Sequence, residues 1–298
     1  MKASLAFLSI ALCLCLLAGW GVSGVEKPLQ EEAPPEKSQA TTFCRVVQEE
    51  QGTLLLAEQG STAVFTLTLG DQDMTLDGAS FDASAPGAYQ VLPGGSLAGT
   101  TVLVTHSGGF QETWPLRFSN VTALAFSTEE FNDLGALYLQ VLEDLWAVDP
   151  GLNENITELG VDLSGTSLSY TEQQAVAWAF GQAHGLPVIQ GTYEELAEGG
   201  YLTLVSLGDS DGAGEEDPAL YQWEDGCFFS ITETDDPVVF SLPSLGPGDE
   251  IPDYDGVGFN AEKWRSPLGL GAYYFQDCTA VSIGGHWGSY TIGSEAIS

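Results

Sequence analysis

The side chains best suited to chemistry in this sequence are its three histidines, His106, His184 and His286. Nucleophilic hydrolysis needs a nucleophile, a base and an orienting acid, but none of the three histidines stands in an H-E-x-x-H pattern. His184 precedes Gly185 at a predicted helix end, where a partly charged imidazole complements the helix dipole. His106 borders a turn and is expected to face solvent. His286, beside Trp287, is therefore the candidate base of a hydrolase that would use nearby acidic residues.

The five cysteines include two in the apolar leader, which leaves Cys44, Cys227 and Cys278. Three thiols form at most one disulfide, and Cys227 with Cys278 is the favoured pair because both fall on late strand-like segments. The alternative is a catalytic Cys278 paired with His286, although a buried structural thiol is far commoner.

From Ser127 onward the only basic side chains are Lys263 and Arg265, which flank Trp264 among many carboxylates. A cationic fork beside an aromatic ring is typical of a small anionic-ligand or partner site. The alternative is an ion pair between Arg265 and a nearby acid, with Trp264 in the core. Four other aromatic residues could form a platform for sugar rings. The alternative is that they lie on alternating strand positions and belong to the core. These residues are Trp223, Tyr273, Tyr274 and Trp287.

Two acidic, glycine-bearing loops only partly match the calcium pattern of an EF-hand, which needs an oxygen ligand at positions one and twelve. A frame starting at Ile251 lacks the first ligand, and a frame starting at Leu207 has Pro218 at position twelve. We therefore predict no metal site and no cofactor, with an irregular, weak cation site as the alternative.

Composition narrows the class of partner. The formal net charge is −35 at pH 7, so binding to nucleic acid, which needs clustered Lys and Arg, is excluded. The same charge repels anionic surfaces. With 44% hydrophobic residues and seven Trp, the chain nevertheless has enough apolar material for a sizeable core.

The start of the chain has the pattern of a secretory signal. Lys2 is followed by an apolar run over 5–17 and by small residues, which predicts a signal peptide over 1–24 that is cleaved or kept as an anchor. Residues 25–42 are rich in Pro and Glu and are predicted to form a disordered acidic tether. The sequence thus predicts an extracytoplasmic protein that is secreted or associated with the cell envelope. Any membrane contact would be through an uncleaved signal segment.

Short β-prone segments dominate residues 43–126, which are predicted to form a small, closed OB-like β-barrel. Residues 71–99 hold many turn-formers and are expected to be an irregular insertion. The predicted strands cover 43–48, 53–58, 62–69, 100–106 and 111–118.

Residues 127–298 are predicted to form an α+β domain with about three helices on an antiparallel sheet. Capping boxes begin at Ser127, Ser169 and Thr192, the first opening a helix of about 20 residues. A strand is expected at 156–163, and hairpins are expected at 224–226 and around Gly284 and Gly285. Exposed loops are predicted at 208–218 and 241–258.

Several segments together resemble exported proteins and lipoproteins of Gram-positive Firmicutes that have a small OB-like barrel and a C-terminal α+β module. The resemblance implies that fold and an extracytoplasmic location, but no particular activity. Position 20 is Trp where such lipoproteins carry the acylated Cys, which favours secretion or an uncleaved anchor. The segments are 17–19, 43–47, 111–116, 137–146, 221–226 and 262–266.

The leading hypothesis is a non-catalytic binding protein of the cell envelope, with a protein, peptide or glycan as partner. The candidate ligand residues are Lys263, Trp264, Arg265 and His286. The alternative is a secreted hydrolase built on His286 and nearby acidic residues. A purely structural spacer is the third possibility.

Overall fold

A computed structural model describes residues 39–205, 220–238 and 254–298. The described residues belong to one compact unit. The predicted signal peptide, residues 25–38 of the tether, the loop at 208–218 and residues 241–253 of the later loop lie outside the described residues. Residues 39–42, predicted to be disordered tether, and residues 254–258, predicted to be loop, belong to strands, because both segments pair with neighbouring strands.

The first sheet has nine strands in the order β5-β4-β9-β6-β1-β2-β3-β8-β7. These strands are β1 (Gln39–Glu50), β2 (Thr53–Glu58), β3 (Val64–Thr68), β4 (Asp73–Leu76), β5 (Ala79–Ser80), β6 (Thr101–Ser107), β7 (Phe110–Gln111), β8 (Leu116–Phe118) and β9 (Val121–Ser127). The predicted closed OB-like barrel is not observed, because β5 and β7 are the two edges of an open sheet. The segment expected to be irregular supplies β4, which pairs parallel with β9 and extends the sheet.

Strand β2 is buried on both faces, as its unbroken run of apolar residues indicates. Leu54 and Leu56 belong to a core on one side of the sheet. Leu55 and Ala57 belong to a second core on the other side. Because the second face is apolar, it needs a covering layer, which the helices provide.

The helices are α1 (Leu134–Ala147), α2 (Tyr170–His184) and α3 (Tyr193–Glu198). The capping boxes at Ser169 and Thr192 are confirmed, since each side chain accepts a hydrogen bond from the backbone three residues later. The box predicted at Ser127 is wrong. Asp77 binds both the backbone N–H and the hydroxyl of Thr128, and α1, 14 residues long rather than about 20, begins after Asp133.

The remaining strands are β10 (Glu158–Gly165), β11 (Val188–Gln190), β12 (Thr203–Leu204), β13 (Tyr221–Gln222), β14 (Gly226–Thr234), β15 (Tyr254–Trp264), β16 (Ala272–Ile283), β17 (Tyr290–Thr291) and β18 (Ser294–Ile297). Seven of them form a sheet in the order β11-β10-β14-β15-β16-β17, with β18 also on β16. The described part is α+β with three helices, as predicted. The sheet is mixed rather than antiparallel, because β10 runs parallel to β11 and β14.

One predicted hairpin forms and the other does not. Strands β17 and β18 return antiparallel onto β16 after the turn at Gly284 and Gly285. The hairpin at 224–226 is wrong, since β13 pairs with β12 while β14 pairs with β10 and β15.

Helices α1 and α2 pack against strands of both sheets. Their core contains Val47 from the first sheet, Phe180 from α2 and Phe229 from the second sheet. This packing positions one face of α2 beside β2 and β3, where the groove described below lies. No helix in the described ranges is both long enough and apolar enough to cross a membrane.

Candidate ligand-binding groove

Lys263 lies inside the protein with an exposed fraction of 0%. Its ammonium donates hydrogen bonds to the carbonyls of Trp146, Val148 and Asp149, at 3.3, 2.8 and 3.1 Å, where α1 ends. Burial lowers the pKa of this amine. Lys263 therefore holds the end of a helix and is not presented to a ligand.

Arg265 also binds backbone carbonyls, among them Glu154 at 2.8 Å and Leu152 at 3.4 Å. Within the described part of the chain it makes no ion pair, so the expected Arg265–carboxylate pair is not formed there. Trp264 is buried and packs edge-to-face on Tyr193 with ring centroids 5.1 Å apart. The predicted anionic-ligand site at 263–265 is therefore not supported, because its side chains are taken up by packing and backbone contacts.

His286 is paired with a carboxylate. Its Nδ1 lies 2.6 Å from Asp133 Oδ2, while the other oxygen of Asp133 accepts the backbone N–H of Trp287 at 2.7 Å. The side chain of His286 is 36% exposed. This is the base-and-orienter part of a catalytic triad, but among residues 39–205, 220–238 and 254–298 no nucleophile is hydrogen-bonded to Nε2.

The predicted disulfide is absent, since Cys227 and Cys278 are both free and buried thiols. They lie on β14 and β16, with β15 between them, and two strand spacings of about 4.8 Å exceed the reach of a disulfide. Burial raises the pKa of Cys278 to about 11 and that of Cys227 to about 12. A thiol with such a pKa is a poor nucleophile at neutral pH, which argues against the Cys278–His286 protease.

The other two histidines have structural positions. His184 lies in the last turn of α2, pairs with Glu143 at 3.0 Å and stacks on Trp146. His106 is buried, not solvent-facing as predicted, with Thr42 Oγ1 3.1 Å from its Nε2. Neither imidazole lines a cavity described below.

Trp223 and Trp287, two members of the expected aromatic platform, are also buried. Trp223 donates its indole N–H to Glu158, and Trp287 donates its own to Asn132. With both rings inside the protein, the predicted sugar platform on these strands is not formed.

Three adjoining hollows instead surround Trp178 on α2. Their volumes are about 420, 680 and 510 Å³, and Trp178 and Gln182 border all three. Residues four apart on a helix share a face, so these two side chains stand together along one side. We call the three hollows, with their shared border, the Trp178 groove.

The opposite wall of the Trp178 groove comes from the first sheet. Thr53 of β2 and Thr66 of β3 border two of the hollows, and Trp114, between β7 and β8, borders two. Trp114 is 55% exposed. Two indole rings therefore face the same groove from different elements.

The groove is close to neutral although the chain is strongly acidic. Glu50 is the only carboxylate and Arg117 the only cation among the residues that line the three hollows. The remaining polar side chains are carboxamides and threonine hydroxyls. The groove can thus donate and accept hydrogen bonds without presenting a strong field.

Sequence reasoning missed this groove, but two signals pointed to its parts. Gln174, Trp178 and Gln182 recur every four residues and form one polar–aromatic stripe on α2. Trp114 precedes Pro115, which cannot donate to a sheet ladder and so interrupts the predicted strand 111–118. What placed the two tryptophans on one groove was the packing of α2 on the first sheet.

No family model matches this chain, and neither a curated protein nor a solved structure is significantly similar to it. Within the described ranges, no group of three or more His, Cys, Asp or Glu side chains is placed to hold a metal ion.

Proposed function

We propose that this is an extracytoplasmic, non-catalytic binding protein of the cell envelope, and that its ligand lies in the Trp178 groove. The observation that carries the proposal is the groove itself, in which an exposed tryptophan faces unpaired carboxamides. A concave surface with aromatic rings and a few polar groups is the usual form of a ligand site.

The composition of the groove supports binding rather than catalysis. No His or Cys lines the three hollows, and their single carboxylate, Glu50, has no second carboxylate beside it. General acid–base catalysis and nucleophilic catalysis both need such groups within reach of the substrate. The export part of the proposal is supported by Lys2 and the apolar run 5–17.

The test is retention of the purified chain on cell-envelope material from the organism that encodes it. The variant Trp114→Ala removes an exposed ring of the groove, and Phe43→Ala removes an exposed ring that borders none of the three hollows. We expect retention of the parent chain and of Phe43→Ala, and loss of retention in Trp114→Ala. Equal retention of all three, or of none, would contradict the proposal and leave a spacer role.

A hydrolase is the second candidate, because Asp133 orients the imidazole of His286 at 2.6 Å. If that pair is catalytic, the purified chain hydrolyses a panel of chromogenic ester and amide substrates, and His286→Ala abolishes the hydrolysis. A chain that is inactive on the panel, or whose activity survives in His286→Ala, counts against this candidate.

A further inference from the structure

We infer that the ligand of the Trp178 groove is an uncharged oligosaccharide, whose sugar rings lie on the indole faces of Trp114 and Trp178. This inference rests on the proposed function, because it names the ligand class of that same site. Three properties of the groove carry it: the chemistry of its polar groups, its charge and its unpaired hydrogen-bonding atoms.

The polar groups match the chemistry of a sugar. Each sugar hydroxyl both donates and accepts a hydrogen bond, and a carboxamide or a threonine hydroxyl does the same from one side chain. Gln174, Gln182 and Gln190 are three of the carboxamides that line the groove. The carbon-bound hydrogens of a sugar ring form an apolar face, which packs on the flat face of an indole.

The charge of the chain and of the groove favours a neutral glycan over an anionic one. The chain carries a formal charge of −35, so a polyanionic polymer is repelled on approach. Within the groove Arg117 is the only side chain that would attract an anion. Recognition of carboxylate or phosphate normally uses paired or clustered basic groups.

Several groups in the groove have hydrogen-bonding capacity left over. Gln174 Oε1 is buried with no partner among the described residues, although it borders a hollow. Three further groups make no hydrogen bond to any described residue: the indole N–H groups of Trp114 and Trp178 and the carboxamide of Gln182. The hydrogen bonds formed near them join other residues. A donor or acceptor without a partner gains when a ligand group reaches it.

Strand β3, which borders two of the hollows through Thr66, disfavours an extended peptide along it. Peptides commonly bind by adding a strand to an open sheet edge. Here β3 is paired on one side with β2 and on the other with β8, through Phe65 and Thr66. A peptide along β3 would therefore have no free strand edge to continue its backbone hydrogen bonds. Strand β11, which lines one hollow through Val188 and Gln190, is an edge strand, so the proteinase treatment below tests a peptide there.

The experiment uses the same envelope material after three treatments: none, proteinase digestion, and periodate oxidation, which cleaves vicinal diols of sugars. Binding of the purified chain is measured at low and at high salt, together with Trp114→Ala, Gln182→Ala and the control Phe43→Ala. Gln182 is exposed, so its substitution is expected to leave folding intact. It therefore tests the groove even if Trp114→Ala fails to fold.

We expect binding to survive proteinase, to be lost after periodate and to change little with salt. Trp114→Ala and Gln182→Ala should each weaken binding to untreated material by at least about tenfold, whereas Phe43→Ala binds as the parent does. Binding that is lost after proteinase and survives periodate indicates a peptide. Binding that changes steeply with salt, in either direction, indicates a charged ligand and contradicts the neutral saccharide.

These outcomes separate the two levels of the proposal. If the groove variants lose binding but proteinase rather than periodate removes the ligand, the saccharide inference is wrong while the groove remains the binding site. If the groove variants bind as the parent chain does, or if the parent chain does not bind, both the inference and the proposed function are wrong.

Discussion

Replacing Lys263 with Met is expected to destabilise the protein by about 2–4 kcal/mol. Methionine has a similar length and volume but no donor, so the substitution removes the three hydrogen bonds that Lys263 gives to the end of α1. The change leaves the apolar stem of the side chain in place. The measured loss thus reports on the ammonium group.

The magnitude follows from which carbonyls are left without a partner. The carbonyl of Trp146 also accepts from Asn153, and that of Asp149 also accepts from Leu152. Val148 keeps no other partner among the described residues. One orphaned carbonyl costs about 1–3 kcal/mol, and two weakened ones add about 1 kcal/mol each. Release of a desolvated ammonium, whose pKa is lowered by burial, offsets part of the loss.

The assay is urea unfolding of Lys263→Met beside Arg117→Met. The guanidinium of Arg117 is exposed and makes no hydrogen bond or ion pair within the described residues. Its replacement by Met therefore changes the net charge as Lys263→Met does, without removing a bond to a buried carbonyl. We expect Arg117→Met to stay within about 0.5 kcal/mol of the parent chain. If Lys263→Met is no less stable than Arg117→Met, desolvation of the ammonium outweighs its hydrogen bonds, and the reasoning is wrong.

Three further predictions use the same unfolding measurement. Ser169→Ala, which removes the cap of α2, should cost about 1 kcal/mol, and Ser127→Ala, which caps no helix, should cost less than half of that; equal losses would contradict the capping geometry. Gly284→Ala and Gly285→Ala both place alanine at positive φ, at +56° and +81°, but only the second Cβ meets the Phe131 carbonyl. Gly285→Ala should therefore be less stable than Gly284→Ala by at least about 1–3 kcal/mol, and similar values would contradict the close approach. Burial, with a hydrogen bond to Glu233, raises the pKa of Tyr138 in the folded protein. The stability that Tyr138 contributes to the folded protein is therefore complete below the ordinary tyrosine pKa of about 10. Above that pH the free energy of unfolding falls by about 1.4 kcal/mol per pH unit on account of Tyr138, a decline that Tyr138→Phe should reduce. An unchanged dependence of the free energy of unfolding on pH in that variant would contradict the prediction.

Much of the local structure was predictable from the sequence. The helix starts at Ser169 and Thr192 were found because a capping box joins residues only three apart. Strand β2 was predicted with its observed bounds, Thr53–Glu58, since a short apolar run between Gly-bearing turns is a local signal. The capping-box pattern at Ser127 misled, because Asp77, far away in sequence, binds the next residue instead.

The candidate sites depended on contacts that no local pattern displays. The carbonyls that Lys263 binds lie 114 to 117 residues away in sequence. A lysine next to Trp264 and Arg265 therefore suggested a ligand site, whereas its hydrogen bonds to these distant carbonyls give it a structural role. Trp114 and Trp178 sit on different elements and meet at one groove only because α2 packs on the first sheet. The sequence by itself determined the acidic charge, the apolar content and the helix caps, which depend on composition and near neighbours. Tertiary structure decided whether the first sheet closes, which thiols meet and which side chains face a groove, because each depends on how distant segments pack.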